Sequence, residues 1–216
     1  GNLQIDAEEL FVLDGSQISA ASFGNGSGGD IQLHVEETAQ FDGISSDGLF
    51  PSSVSSNIRE EAVGDGGTID ILAGSLSVTG GAQISAVTSG RGDAGNIVID
   101  VRDETLIEGG TDRGFSPGGV FSSVQTEAEG NGGSESLMTD RMLVFYEGQI
   151  SAATSGRGDG GTINLDIVDE IVLGGSNSSG SLLSNVAVTG EGNGGSVNIN
   201  AGQLQLSNDA LISVNS

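Results

Sequence analysis

The sequence predicts an all-β protein that folds as a parallel β-helix, a column in which the chain winds through stacked coils. Three observations predict it: a repeat that opens on glycine, alternation of apolar and polar residues within each repeat, and turn-forming residues between the alternating segments. Glycine supplies 38 of the 216 residues. No stretch keeps the 3.6-residue spacing of apolar residues that indicates a helix, so we expect essentially none.

The repeat unit is marked by a glycine that is followed two residues later by an aliphatic residue. The seven units begin at Gly1, Gly29, Gly67, Gly95, Gly133, Gly161 and Gly195. Their intervals are 28, 38, 28, 38, 28 and 34 residues, so short units alternate with long ones. Self-similarity at a fixed period is typical of solenoids. Because the chain opens directly on repeat sequence, we expect one β-helix segment, residues 1–216, belonging to a longer protein.

Each unit contains three segments with strand character. In the first segment Leu3, Ile5 and Ala7 alternate with polar residues, which indicates a strand with one buried face. The second segment supplies two inward positions per unit and the third supplies one. The second-segment positions are Leu10 and Val12, Ala39 and Phe41, Leu76 and Val78, Thr105 and Ile107, Met142 and Val144, Ile171 and Leu173, and Leu204 and Leu206. The third-segment positions include Ile18, Ile84, Ile150 and Ile212.

Matching segments fill matching slots in successive units, so we expect them to stack as parallel strands in register. Three strands per unit predict a coil with three faces, and seven coils at about 4.8 Å predict a column roughly 30 to 35 Å long. An antiparallel β-sandwich also accounts for many short strands. It does not account for slot-by-slot identity across units of 28 and 38 residues.

Composition and charge bear on the class of partner. The chain carries 30 acidic residues against six basic ones, for a net charge of -24. We therefore expect no nucleic-acid partner, because phosphates would be repelled. No apolar run approaches the roughly 18 residues that span a bilayer, so we expect no membrane span. The chain has no cysteine, which excludes disulfides and thiolate metal sites.

The tripeptide Arg-Gly-Asp, known for binding animal integrins, occurs in both copies of "TSGRGD". The candidate adhesive residues are Arg91, Gly92 and Asp93, and Arg157, Gly158 and Asp159. Other units fill the same slot with "GNGSGG", "GDGG" or "GNGG". This pattern favours a glycine-rich corner, since glycine, asparagine and aspartate tolerate the positive φ of such corners. An adhesive loop is the alternative.

Candidate metal ligands are corner carboxylates. Asp65, Asp93 and Asp159 could offer oxygen ligands to Ca²⁺, but their order differs from that of calcium-binding nonapeptide repeats. We expect no cofactor, with Ca²⁺ at these corners as the alternative. His34, the only histidine, lies on the outward phase of its strand with no evident catalytic partner. We therefore expect no enzyme activity, with a polysaccharide-acting enzyme as an alternative.

One slot departs from the inward pattern. The first inward position of the unit from Gly133 holds Glu135, where the other units hold Leu, Ile or Val. A lone buried carboxylate costs several kcal/mol unless it is neutralised or paired. We therefore predict a local bulge that turns Glu135 outward and places Leu137 or Met138 inward. A buried functional acid is the alternative.

Three stretches carry a family resemblance: "GGAQISAVTSGRGDAGNIVIDV", "DGLFPSSVSS" and "EGNGGSVNINAGQLQLSNDALIS". They resemble repeats of large cyanobacterial exoproteins that are similar to filamentous haemagglutinin, the secreted partner of two-partner secretion. The matching elements are Asp93–Ile97, Gly81–Ser85, Gly48–Val54 and Gly130–Gly133. The resemblance covers essentially the whole chain, although the unit of Glu135 departs from it. It implies a right-handed parallel β-helix, export through an outer-membrane pore, and no catalytic residues.

Together these expectations describe a non-catalytic scaffold or adhesin segment at the outer cell surface or in the extracellular space. Its expected partners are neighbouring β-helix coils, cell-surface or polysaccharide ligands and, by resemblance, the secretion pore. The alternative is a matrix filament of identical copies stacked end to end, because an unclosed β-helix exposes unpaired strand edges at its ends.

Overall fold

The computed structural model describes residues 1–110, 117–175 and 178–216. These residues form strands and turns without a helix, and so without a helix able to cross a membrane. The strands in chain order are β1 (Leu3–Ala7), β2 (Leu10–Leu13), β3 (Gln17–Ser19), β4 (Ile31–Asp42), β5 (Ser53–Ser55), β6 (Thr68–Thr79), β7 (Gln83–Ser85), β8 (Asn96–Val101), β9 (Glu104–Glu108), β10 (Gly119–Phe121), β11 (Ser134–Phe145), β12 (Gly148–Ser151), β13 (Thr162–Leu173), β14 (Gly180–Leu183), β15 (Ser196–Leu206) and β16 (Leu211–Ser213).

The strands form two parallel sheets that wind around one core. The first sheet runs β1-β4-β6-β8-β11-β13-β15, with β2 beside β4 and with β9 pairing with β6 and β11. The second runs β3-β5-β7-β10-β12-β14-β16. The chain is thus an all-β parallel β-solenoid of about six turns, bounded by seven stacked strands in each sheet. The predicted fold class is confirmed.

The core is built from the slots that the sequence indicates. Leu33, Ile71 and Ile99 stack in register, as do Phe41, Val78 and Ile107, and all are at most 1% exposed. Each such side chain contributes about 1.5 to 3 kcal/mol by leaving water. Aliphatic and β-branched side chains suit this pleated, buried surface. The predicted inward positions of the first two segments therefore form one continuous core along the column.

The structure differs from the prediction of three separate strands per coil. The first two segments run together as one strand in most coils; β4, β6, β11 and β13 each span 12 residues. Long coils carry one extra residue at the junction, so the register shifts where Val35 and Thr38 face Ala73 and Ser75. The short coil fits because Gly74 lacks a Cβ, which would lie 2.4 Å from the Glu37 carbonyl oxygen.

The side of the column after the second sheet is held by isolated parallel bridges rather than by full strands. One row joins Ser22, Ile58, Thr88, Val124, Thr154 and Val186. A second row joins Asn25, Val63, Arg91, Glu129, Arg157 and Glu191. Both copies of "TSGRGD" therefore lie on this bridged side, which turns the chain back toward the first sheet.

Short and long coils close the corner before the first sheet with different residues. In long coils a buried serine hydroxyl donates to a glycine carbonyl, as Ser56 Oγ does to Gly29 at 2.7 Å and Ser184 Oγ to Gly161 at 2.6 Å. Short coils hold Ala20, Ala86 and Ala152 in the same slot. Short and long coils therefore differ in the residue that packs at this corner as well as in length.

The prediction of a bulge at Glu135 is wrong. Glu135 pairs in register with Ile97 and Ile163 and is 2% exposed, while Leu137 is buried and Met138 faces outward. Neither carboxyl oxygen has a hydrogen-bond partner among the described residues. Pairing with the strands on both sides fixes the register, and a one-residue slip would turn the buried residues Leu137, Met142 and Val144 out of the core. The carboxyl group is therefore buried together with the inward face of its strand.

Burial raises the pKa of Glu135 well above its ordinary value. The Ser122 backbone N–H opposes this shift to a smaller extent, but that N–H donates to the Ser151 carbonyl at 2.9 Å. The carboxyl group is therefore uncharged over a wider pH range than an exposed glutamate. The alternative of a buried acid holds for its position, and no residue that the structure describes gives the carboxyl group a hydrogen-bond partner.

Candidate functional site

The Arg-Gly-Asp corner contains a ladder of Asp and Asn side chains along the column. The backbone N–H of Asp93 donates to Asp65 Oδ1 at 3.0 Å. Asn131 donates to Asp93 Oδ1 from its backbone N–H at 2.8 Å and from Nδ2 at 3.1 Å. Asn193 repeats both bonds to Asp159 Oδ1 at 2.8 and 3.0 Å. The carboxylate of each tripeptide therefore accepts hydrogen bonds from the next coil.

The arginines of the same tripeptides lie in a second ladder of alternating charge. Arg91 Nε lies 3.5 Å from a Glu129 carboxylate oxygen, and Arg157 approaches Glu129 at 3.7 Å and Glu191 at 3.5 Å. These side chains are 47 to 75% exposed, so each pair is screened by solvent and contributes little to stability. The two guanidinium groups remain accessible from solvent.

Gly92 and Gly158 complete these corners. Their φ angles of 133° and 138° lie in a region that L side chains rarely adopt. A Cβ on Gly92 would lie 2.2 Å from the Gly64 carbonyl oxygen, and one on Gly158 would lie as close to the Gly130 carbonyl oxygen. The glycine of each tripeptide is therefore required by the stacking of the coils. These contacts account for the tripeptide as a corner, and the adhesive alternative stays a prediction.

The candidate calcium ligands do not converge on one point. No group of three or more His, Asp or Glu side chains that could hold a metal ion occurs among the described residues. Asp65 and Asp93 instead occupy successive levels of the Asp and Asn ladder, and Asp159 lies two levels beyond Asp93, with Asn131 between them. Ca²⁺ binding at these corners would have to use the single carboxylates that the ladder already engages.

His34 has a neighbour that the sequence analysis missed. Its Nδ1 lies 3.5 Å from Asp6 Oδ1, and both side chains are more than half exposed. The two residues face each other because Asp6 and His34 occupy the same slot in adjacent coils. The signal was present in the sequence, since the slots lie one short unit apart. As an exposed pair on a strand face, they form a surface contact.

The described surface has a second feature, a long groove on the outer face of the second sheet. Its floor is formed by Asn57, by β7, β10 and β12, and by the residues that follow these strands. Its rim includes Pro117 at one side and Glu60, Glu61 and Glu127 at the other. We call this surface the groove. Its floor carries amide and hydroxyl side chains, among them Asn57, Gln83, Ser85, Ser123, Gln149 and Ser151.

Phe121 breaks the pattern of the groove floor. Along the second sheet, its row holds Ser19, Ser55, Ser85, Phe121, Ser151, Leu183 and Ser213. The adjacent residue Val120 points into the core and is 1% exposed, so Phe121 points outward into the groove. The sequence analysis did not single it out. Aligning the seven third segments against one another would have revealed it.

The acidic rim is built by two equivalent turns of the long coils. Ala62 N–H donates to the Arg59 carbonyl at 3.1 Å, and Ala128 N–H repeats this bond to Gln125 at 3.1 Å. The turns place Glu61 and Glu127 at φ values of 64° and 68°. This conformation is uncommon for a residue with a side chain. Both carboxylates project beside the floor, and the described residues that line the groove include no basic side chain.

Comparisons with protein-family models, curated proteins and solved structures return no match for this chain. The structure supports the β-solenoid fold, and the resemblance to exoprotein repeats stays a prediction.

Proposed function

We propose that the chain is a non-catalytic scaffold segment outside the cell, a rigid β-solenoid stalk that carries binding surfaces along its sides. The observation that carries this proposal is the continuity of strand pairing. Each sheet is an unbroken parallel stack, of nine strands in the first sheet and seven in the second, so the coils form one stiff column in which every inner coil packs on two neighbours. Such a column is suited to act as an extended spacer and to display loops along its sides.

Placement outside the cell is supported by the resemblance to exoproteins of two-partner secretion and by the charge of -24. A strongly acidic surface keeps exposed columns apart and in solution. Membership of that family, its outer-membrane pore and its right-handed coil belong to this proposal. Antibody labelling of intact cells of the source organism tests it. We expect label on intact cells, whereas label that requires permeabilised cells would contradict the proposal.

A second candidate function is a filament of identical copies, in which the parallel strand pairing of the two sheets would continue from one copy to the next. Negative-stain imaging of the purified chain separates the two functions: we expect single rods, and long unbranched filaments would establish the second.

A further inference from the structure

We propose that the groove on the second sheet binds a linear polysaccharide that carries amino groups, with Phe121 stacking against a sugar ring. The proposal rests on the proposed function, since it names the ligand class that the extracellular scaffold would hold. It concerns Asn57 and the outer face of β7, β10 and β12, and it involves neither Arg-Gly-Asp corner.

The first step concerns what the groove offers to a ligand. Its floor is the face of a sheet whose backbone groups already pair between coils. A peptide strand adds to an exposed sheet edge through main-chain hydrogen bonds, and a sheet face offers none. A ligand in the groove is therefore recognised by side chains, which are mainly amides and hydroxyls. These groups donate and accept hydrogen bonds at once, as sugar hydroxyls do.

The second step is the setting of the aromatic ring. Phe121 is flanked in its row by Ser85 and Ser151, one coil to either side. In the neighbouring row Gly119 lies between Gln83 and Gln149, so position 119 places no side chain beside the ring. The ring is therefore an apolar platform with an amide and a hydroxyl at each end. An apolar surface with a few placed polar groups is the usual design of a small-molecule or sugar site.

The polar groups around the ring are already held in place. Gln83 Nε2 donates to the Pro117 carbonyl at 3.0 Å, which leaves its Oε1 as an acceptor. Ser123 Oγ donates to the Ser151 carbonyl at 2.7 Å. Ser85 Oγ donates to Asn57 Oδ1 at 2.9 Å. A fixed floor lowers the entropy that a ligand must remove on binding.

The third step is charge. Glu60, Glu61 and Glu127 line one rim, and the whole chain carries -24. An acidic polysaccharide would be repelled from this surface, and a polymer with protonated amines would be attracted. The floor spans four coils, or about 15 Å along the column, which suits several linked sugars better than one. Charge and shape thus favour an amino polysaccharide over neutral and acidic ones.

The test is calorimetric titration of the purified chain with a glucosamine hexamer, at a pH where its amines are protonated. Matched arms use a glucose hexamer, a galacturonic acid hexamer and a hexalysine. We expect the glucosamine hexamer to bind at least tenfold more tightly than each of the other three. Equal affinity for the glucose hexamer or for hexalysine would overturn the proposal, since it would remove the role of the amines or of the sugar. Tighter binding of the acidic hexamer would also overturn it.

Two variants locate the site. Phe121→Ser introduces the residue that its row holds in five other coils, so the fold is retained, and we expect at least a tenfold loss of affinity. Phe23→Ser is the matched control, because Phe23 is 78% exposed and does not line the groove; we expect unchanged affinity. Equal effects of the two substitutions would overturn the proposal.

The combined variant Glu60→Gln, Glu61→Gln and Glu127→Gln tests the rim. We expect it to lose at least tenfold in affinity for the glucosamine hexamer and most of the salt dependence of binding. Unchanged affinity and salt dependence would overturn the assigned role of the rim. The antibody labelling of intact cells distinguishes failure of this proposal from failure of the proposed function. If the glucosamine hexamer does not bind but the antibody labels intact cells, the groove ligand is rejected and the extracellular scaffold stands. If the hexamer binds but the antibody labels only permeabilised cells, the extracellular scaffold is rejected.

Discussion

The Arg-Gly-Asp corner and the groove lie on the same coils, but their side chains are engaged in different ways. At the corner, the Asp93 carboxylate accepts two hydrogen bonds from Asn131 of the next coil, and Arg91 faces Glu129. In the groove, Phe121 stands where the neighbouring coils of its row hold Ser85 and Ser151. At the corner, the side chains of successive coils bond to one another. In the groove, the row of serine side chains is interrupted by Phe121.

The contrast teaches how function can be sought in a solenoid. A motif that repeats in register and bonds to the equivalent residues of the next coil is explained by stacking, even when its sequence matches a known binding motif such as Arg-Gly-Asp. A residue that departs from its row is not explained by that row's stacking and calls for another explanation. Glu135 is the inward counterpart of Phe121, since it interrupts an apolar row and finds no hydrogen-bond partner among the described residues.

The largest expected effect comes from restoring the interrupted inward row. Glu135→Leu removes a buried, unpaired carboxyl group and should raise the free energy of unfolding at neutral pH by about 3 kcal/mol. Urea denaturation followed by circular dichroism measures it. Glu135→Gln is the matched control: it keeps a buried polar group and should gain less. A loss of stability in Glu135→Leu would show that the carboxyl group has a stabilising partner.

The same residue predicts a pH dependence. Because the folded pKa of Glu135 is raised, burial of this carboxyl group costs least below the unfolded pKa of about 4.3, where the group is protonated in both states. The cost grows as pH rises toward the folded pKa. The stability gap between Glu135→Gln and the unmodified chain should therefore widen as pH rises above about 4.3. Parallel urea titrations from acid to neutral pH measure it. A gap that narrows with rising pH would contradict the burial of an uncharged carboxyl group.

The corner gives a smaller effect. Asp93→Ala removes the acceptor of two hydrogen bonds from Asn131 and should lower the free energy of unfolding by about 1 kcal/mol. Asp93→Asn keeps an oxygen acceptor, as Asn131 does for Asp159 one coil on, and should be nearly neutral. If both variants lost stability equally, the charge of Asp93 rather than its place in the ladder would matter.

The smallest effect is expected at the charged row. Arg157→Ala removes ion pairs with Glu129 and Glu191 whose members are about half exposed or more. Screening by water and salt should hold the loss to about 0.5 kcal/mol or less, and it should shrink further as salt is added. Thermal unfolding at low and high salt measures it. A large loss that persists in high salt would mean that the corner is held by charge and not by hydrogen bonds.

Much of the fold could be predicted, because in a parallel column a residue pairs with the residue in the same slot of the next coil. The interval between glycines therefore yields both the fold class and the register of Leu33 with Ile71. The sequence did not show that the first two segments of a unit run together as one strand. Apolar and polar residues alternate in the same way whether the strand continues through the junction or ends there. Handedness stays a prediction from resemblance.

The candidate site was less predictable. The Arg-Gly-Asp tripeptides were recognised as a known sequence motif. Phe121 and the Asp6–His34 pair become visible only when the units are aligned slot by slot. The bulge at Glu135 was predicted from the cost of one buried carboxyl group. It is wrong because a slip would expose the whole apolar face of its strand, which costs more.

Fluorine NMR of the chain labelled with fluorophenylalanine tests the central contrast most directly. The seven phenylalanines give separate signals, and the one absent from Phe121→Ser belongs to Phe121. On titration with the glucosamine hexamer, we predict that this signal shifts and saturates while that of Phe23 stays fixed. Binding that leaves the Phe121 signal in place would contradict the account, because the ligand would then occupy a surface other than the groove.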